Sequence, residues 1–215
     1  GMSTRIIGAI IMTHGDDNGL VMPPAVAPVQ VVVIPVAAHK PGVKEKAQEV
    51  CDSLKKYVRA KIDLTDNTPG WKFAEYEMRG VPVRLELGPK DIEKGQCVLV
   101  RRDTREKIFV ALEELPTAIP ALLQSIHDNM YARALENREN RTWDVHTMEE
   151  FKQVAAEKTG FYRSMWCGDR ACEEKLKTDV GVTSRCMPFE QEHIGDVCPV
   201  CGKPAKTMVI WGKAY

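Results

Sequence analysis

Residues 29–36 read Val-Gln-Val-Val-Val-Ile-Pro-Val, an almost unbroken apolar run of the length of one strand. A strand with one wet face alternates between apolar and polar residues. One this uniformly apolar is expected to be covered on both faces, as in a sheet flanked by helices. The residues after it supply the cover. Val43, Ala47, Val50, Leu54, Tyr57 and Val58 recur at spacings of four, three, four, three and one, a single stripe on a helix opened by Pro41.

Further along, residues 61–64 read as the next strand and residues 70–79 as a short helix closed by Gly80. Val81, Val83, Leu85 and Leu87 alternate with Pro82, Arg84, Glu86 and Gly88, which predicts a strand with one core face and one polar face. Residues 96–102 and 107–112 form two more strands across the charged turn Asp103-Thr104-Arg105-Glu106, a hairpin. Leu115, Ile119, Leu122, Leu123, Ile126 and Met130 then mark a long helix. Strands alternating with helices over residues 29–140 predict an α/β domain with a mixed β-sheet and flanking helices.

Upstream, Ile6, Ile7, Ile10, Ile11 and Met12 predict a β-rich run. The turn-prone Gly15-Asp16-Asp17-Asn18-Gly19 and Pro23, Pro24 and Pro28 come next, placing a boundary near residue 28. The chain opens on Gly1-Met2 with no cap or loop before this run, as expected of a piece of something longer. Downstream, residues 136–146 are polar and suit a helix end or connector. Thr147-Met148-Glu149-Glu150 has the spacing of a capping box for a helix to about residue 158, with Phe151, Val154 and Ala155 inward. The remainder, to Tyr215, reads as short elements around cysteines.

Composition narrows the function. The chain has 215 residues, 44% of them apolar, and 30 basic side chains balance 30 acidic ones. That balance argues against a binder relying on bulk positive charge, so any nucleic acid would be read by a local patch. The longest apolar run, residues 25–38, is broken by Pro28, Gln30 and Pro35 and is too short to span a bilayer. Seven cysteines, an odd number, and no secretory leader point to a reducing cytosol rather than a disulfide framework.

Four of those cysteines form two close pairs. Cys167 and Cys172 enclose four residues, Cys198 and Cys201 enclose two, and 25 residues separate the pairs. Two pairs across a loop can place four thiolates around one tetrahedral zinc ion, and a glycine after the last cysteine lets backbone amides turn toward sulfur. With every position filled by protein, such a zinc is structural. It would staple a small α+β zinc-binding domain over residues 141–215. Cys51, Cys97 and Cys186 read as buried thiols, while Cys186 and His193 are the rival ligands.

Several stretches taken together resemble a known family. Ser3-Thr4-Arg5, Ile7-Gly8-Ala9, Ile11-Met12-Thr13-His14-Gly15-Asp16-Asp17 and Pro23-Pro24 to Gln30 resemble the last active-site motif of class II aminoacyl-tRNA synthetases. Within that class the chain resembles the prolyl-tRNA synthetases of eukaryotic and archaeal type. The similarity continues through Gly88-Pro89-Lys90-Asp91, Arg101-Arg102-Asp103-Thr104, both cysteine pairs and the terminal Ala214-Tyr215.

The resemblance implies that residues 1–28 end a catalytic domain, with Ser3 and Arg5 contacting ATP. Residues 29–140 would bind the anticodon of tRNA(Pro) through Arg84, Glu86, Lys90, Arg101 and Arg102. The last domain would hold Zn2+ and bring the Tyr215 carboxylate toward the active site. It further implies a homodimeric, cytoplasmic parent that uses L-proline, ATP and Mg2+, binding neither DNA nor membrane, of which this fragment alone is inactive. Residues 84–107 by themselves hold seven basic and five acidic side chains, which composition reads as a mixed-charge surface. The alternative is a free-standing tRNA-binding or regulatory paralogue that never had a catalytic half.

Overall fold

The structure is a computed structural model and describes residues 3–213. It divides between Ala134 and Leu135 into two compact units. In the first, α1 (Arg5–His14) precedes β1 (Val31–Pro35), α2 (Val43–Leu54), β2 (Ala60–Ile62), α3 (Pro69–Met78), β3 (Val83–Leu87), α4 (Pro89–Glu93), β4 (Gln96–Arg101), β5 (Lys107–Ala111) and the long α5 (Leu115–Glu139). The strands form one mixed sheet in the order β2-β1-β3-β4-β5. β1 runs parallel to β2 and β3, and the rest is antiparallel.

The expectation for residues 29–36 holds for a physical reason visible on both faces. All five residues of β1 are buried. Val31 and Val33 pack in one core with Ala47, Val50, Cys51 and Leu54 of α2 and Ile119, Leu123 and Ile126 of α5. Val32 and Ile34 pack on the opposite face against Phe73 and Tyr76, both from α3. Each fully buried valine or isoleucine contributes about 1.5–3 kcal/mol, so this strand anchors the unit.

One expectation is corrected in this unit. Residues 6–12 are not a β-rich run but part of the helix α1. Ile6, Ile7, Ile10 and Ile11 are spaced one, three and one apart, which puts them on one face of a helix, a period masked by their β-branched character. None of α1's residues is buried. β3 does have one core face and one polar face, the latter partly covered because α3 lies across β1 beside it, leaving Arg84 8% exposed.

The second unit continues from the end of α5 into β6 (Thr142–Asp144), α6 (Met148–Glu157), β7 (Phe161–Trp166), α7 (Arg170–Asp179), β8 (Val182–Cys186) and β9 (Thr207–Lys213). Its sheet order is β6-β7-β9-β8. The terminal region is therefore more than short elements around cysteines, since Phe151, Tyr162, Leu176, Val182, Val209 and Trp211 build a core of their own. Thr147 caps α6 by accepting from the Glu150 amide, while the Glu150 carboxylate accepts from His146 N. The box is displaced by one residue. No helix among the described residues is long and apolar enough to cross a membrane.

Candidate functional site

The face of the first sheet turned away from α2 and α5 carries the side chains that sequence reading singled out on β3. The register pairs Arg84 with Val100 and Val100 with Lys107, and it pairs Glu86 with Val98 and Val98 with Phe109. Because successive residues alternate faces, these two rows stand side by side. Arg84 donates to Glu77 Oε1 at 2.7 Å and to Glu86 Oε1 at 2.9 Å, and its guanidinium lies 4.1 Å from the Phe73 ring centroid. Two carboxylates and a ring thus hold one planar cation on the sheet surface. Lys90 is exposed on α4, just beyond the end of β3.

Arg101 does not join this group, whereas Arg102 touches it through Glu77, the residue that also holds Arg84. Arg101 shares a register pair with Val83 and so faces the α5 side. There it binds Asp103 through two bonds of 2.9 and 2.8 Å and Ser125 Oγ at 3.1 Å, while Asn129 also donates to Asp103. Burial pushes the Asp103 carboxyl up, but the bonds from Arg101 and Asn129 outweigh it and hold the group below its ordinary value. Arg102 is 3% exposed and forks onto both oxygens of Asp16 at 2.7 Å, with Nε donating to Glu77 O.

That fork ties the loop after α1 to the end of α3. Leu20 N donates to Met78 O, and Met22 N to Gly80 O. Gly19, at φ +124°, passes so close to Met78 that a Cβ would come within 2.5 Å of its Cα. The bond from Arg102 keeps the Asp16 carboxyl well below the usual carboxylate range. A depressed carboxylate stabilises the fold fully above its unfolded pKa of about 3.9 and loses that contribution as pH falls through the folded value. The melting temperature of the wild type should therefore exceed that of Asp16→Asn by a constant margin from pH 8 to 5, and the margin should shrink below about pH 4. A margin unchanged down to about pH 2 would rule this out.

In the second unit the structure brings Cys167, Cys172, Cys198 and Cys201 together, their sulfurs all within 4.8 Å of one another. Among the described residues this is the group of His, Cys, Asp and Glu side chains placed to share one ion. Cys167 follows the last residue of β7, and Cys172 lies in the first turn of α7, capped by Asp169. Cys198 N donates to Lys203 O and Gly202 N to Cys198 O, closing the second turn. Gly168 and Gly202, each directly after a cysteine, adopt φ of +85° and +70°, where a side chain is strained.

The sulfur spacing fits a metal. Cys167 stands 3.7 Å from Cys172 and 3.6 Å from Cys201, and four thiolates at a Zn–S distance of about 2.3 Å lie about 3.8 Å apart. The Lys203 amide lowers Cys201 to about 7, whereas burial pushes Cys172 up. The rival ligands stand apart: Cys186 is exposed at the end of β8, and His193 pairs with Asp196 at 2.9 Å.

Comparison with known proteins covers both units. The family described as "Anticodon binding domain" matches residues 30–122. The family described as "Prolyl-tRNA synthetase, C-terminal" matches residues 148–215. Proline–tRNA ligase 2 of Bacillus cereus is 60% identical over all 215 residues of the chain, and proline–tRNA ligase of Clostridium novyi is 61% identical over the same length. The chain is similar throughout to the C-terminal region of proline–tRNA ligases. It spans 45% of the length of those two relatives. A prolyl-tRNA synthetase from Cryptosporidium parvum, solved with L-proline and AMP, superposes with a TM-score of 0.92 at 38% identity, covering 99% of this chain and 46% of that one.

In this chain, Ser3 precedes α1 and Arg5 is its first residue, both exposed. Tyr215 and Gly1-Met2 lie outside the described residues. Sequence reading missed Phe73 and Glu77, which hold Arg84 from α3. Their spacing of four on a predicted helix was the available signal. It also missed Asp16 and Asp103, because partners 86 residues apart, as Asp16 and Arg102 are, leave no local pattern.

Proposed function

We propose that this chain is the tRNA-reading part of a proline–tRNA ligase, with Arg84, Glu86 and Lys90 meeting the anticodon. The observation that carries this reading is the Glu77–Arg84–Glu86 group on the outer face of β3, inside the matched anticodon-binding segment. An unpaired guanine offers N–H donors and a carbonyl on its Watson–Crick edge. Carboxylates accept the former, a guanidinium donates to the latter, and Lys90 supplies charge for a phosphate. A proline anticodon presents two adjacent guanines. Arg101 and Arg102, committed to Asp103 and Asp16, serve the fold that carries this face.

The whole protein would activate L-proline with ATP, Mg2+ assisting, and transfer it to tRNA(Pro) in the cytosol, as a homodimer. Activation is in-line attack of the proline carboxylate on the α-phosphate, helped by positioning and charge neutralisation. Arg5 would neutralise phosphate charge, with Ser3 beside it. The exposed Ile6, Ile7, Ile11 and Met12 support this placement, since α1 has an apolar side for a larger body to cover. The chain by itself is expected not to aminoacylate. Cys167, Cys172, Cys198 and Cys201 would hold a structural Zn2+ that makes the second unit a zinc-binding domain, and Tyr215 would support the active site.

The test is fluorescence-anisotropy binding to tRNA(Pro) and to the same tRNA with both anticodon guanines replaced, at fixed moderate salt. The natural anticodon should bind about tenfold more tightly, which corresponds to about 1.4 kcal/mol. Equal affinities would refute anticodon reading by this chain.

A further inference from the structure

We propose that Phe109 is a stacking platform for an unpaired base of the bound RNA, an inference that rests on the anticodon reading above. In β5, Ile108 and Val110 belong to the core, so Lys107, Phe109 and Ala111 face the other way. Phe109 is 66% exposed. A single exposed apolar residue is ordinary on a protein surface, and what distinguishes this one is its row. It stands opposite Val98, which stands opposite Glu86. Two strand spacings put the Phe109 backbone about 10 Å from that of Glu86 on the same face.

The surroundings match a single-stranded nucleic acid. α3 covers the β1 side of this face through Phe73 and Tyr76, while Val98, toward the β5 edge, stays only partly buried. An aromatic ring on an open sheet face, beside hydrogen-bonding side chains, is how small domains hold splayed bases, because every base has a π-face to stack. The charge is complementary as well. Lys107 stands on the same face two residues from Phe109, is exposed and, among the described residues, enters no ion pair; Lys90 and Lys94, also exposed, lie on α4, whose Ile92 packs toward the α2 side of the sheet. A phosphate chain crossing between Glu86 and Phe109 would meet Lys107 on this face.

The experiment repeats the two-RNA binding measurement with Phe109→Ala, Phe109→Leu and Phe109→Trp. Stacking is blind to base identity, so Ala and Leu should each weaken both RNAs about fivefold or more while leaving the preference for the natural anticodon unchanged. Trp should restore wild-type affinity or exceed it. Folding should not confound the result, because the ring is exposed and the strand's ladder is backbone-made; far-UV circular dichroism and melting of each variant check this. Wild-type discrimination with unchanged Phe109→Ala affinity overturns the stacking proposal alone and leaves anticodon reading standing. Full recovery by Leu also overturns it, since an aliphatic contact would then suffice. Equal binding of wild type to both RNAs is the failure of anticodon reading itself and takes this proposal with it.

Discussion

If the four cysteines hold zinc as proposed, Cys198→Ser is expected to lose it and to melt the end of the second unit that the cysteines hold, at a cost of about 4 kcal/mol or more. Cys198 is 1% exposed and packs with Met165, Cys172, Ala205 and Met208 in a cluster of its own. That cluster contains few large side chains, so a crosslink rather than burial must hold it. The other cluster of this unit, around Phe151, Tyr162 and Trp211, contains no cysteine, and Trp166 and Val200 pack against both. Unfolding should therefore begin at the metal end of β7 and β9, which carry Met165 and Met208, and the first unit should keep its own transition. Zinc content and a thermal melt of wild type, variant and chelator-treated protein decide it. Less than about half a zinc per chain after metal-replete purification, with folding intact, would sink the assignment.

Lys72→Met should destabilise the first unit by about 3–5 kcal/mol, the ordinary cost of breaking a buried ion pair from one side. Lys72 is 3% exposed; its Nζ donates to Asp63 O at 3.0 Å and lies 3.4 Å from Asp63 Oδ1. Asp63, itself 5% exposed, also accepts from Thr65 N and Thr65 Oγ1. Burial pushes its carboxyl up, yet the bonds from Thr65 and Lys72 prevail and keep it below the ordinary value. Removing the cation leaves this buried carboxylate without its partner. The double variant Lys72→Met/Asp63→Leu should recover much of the loss, because no orphaned charge remains. Urea titrations of the three chains measure both effects, and a Lys72→Met midpoint at the wild-type value would refute the argument.

The fold of the first unit was largely legible from residues 29–36 and the segments after them. Its strands and helices are local patterns whose period survives in the sequence, as with Val43, Ala47, Val50 and Leu54. Residues 6–12 misled because isoleucine favours strands by propensity while its spacing there is helical. At the cysteines, spacing sufficed, since a tetrahedral ion asks only for pairs that can converge. The polar face was harder. Arg84, Arg101 and Arg102 look alike in sequence, and only the placement of their partners separates Arg84, held between Glu77 and Glu86, from Arg101 on Asp103 and Arg102 on Asp16. The second core was missed because Phe151, Tyr162, Leu176, Val209 and Trp211 are scattered among polar residues and assemble only across strands.

Arg84 arrives at any encounter already immobilised by Glu77, Glu86 and the Phe73 ring. Its rotamer freedom was given up when the chain folded, so under the proposed reading a base edge would meet a fixed fork instead of ordering a loose one. A correct base loses little entropy from the protein side on docking, and a wrong one finds a fork that cannot rotate to accommodate it. Discrimination of this kind resides in how long a complex lasts, with encounter rates nearly the same for matched and mismatched RNAs.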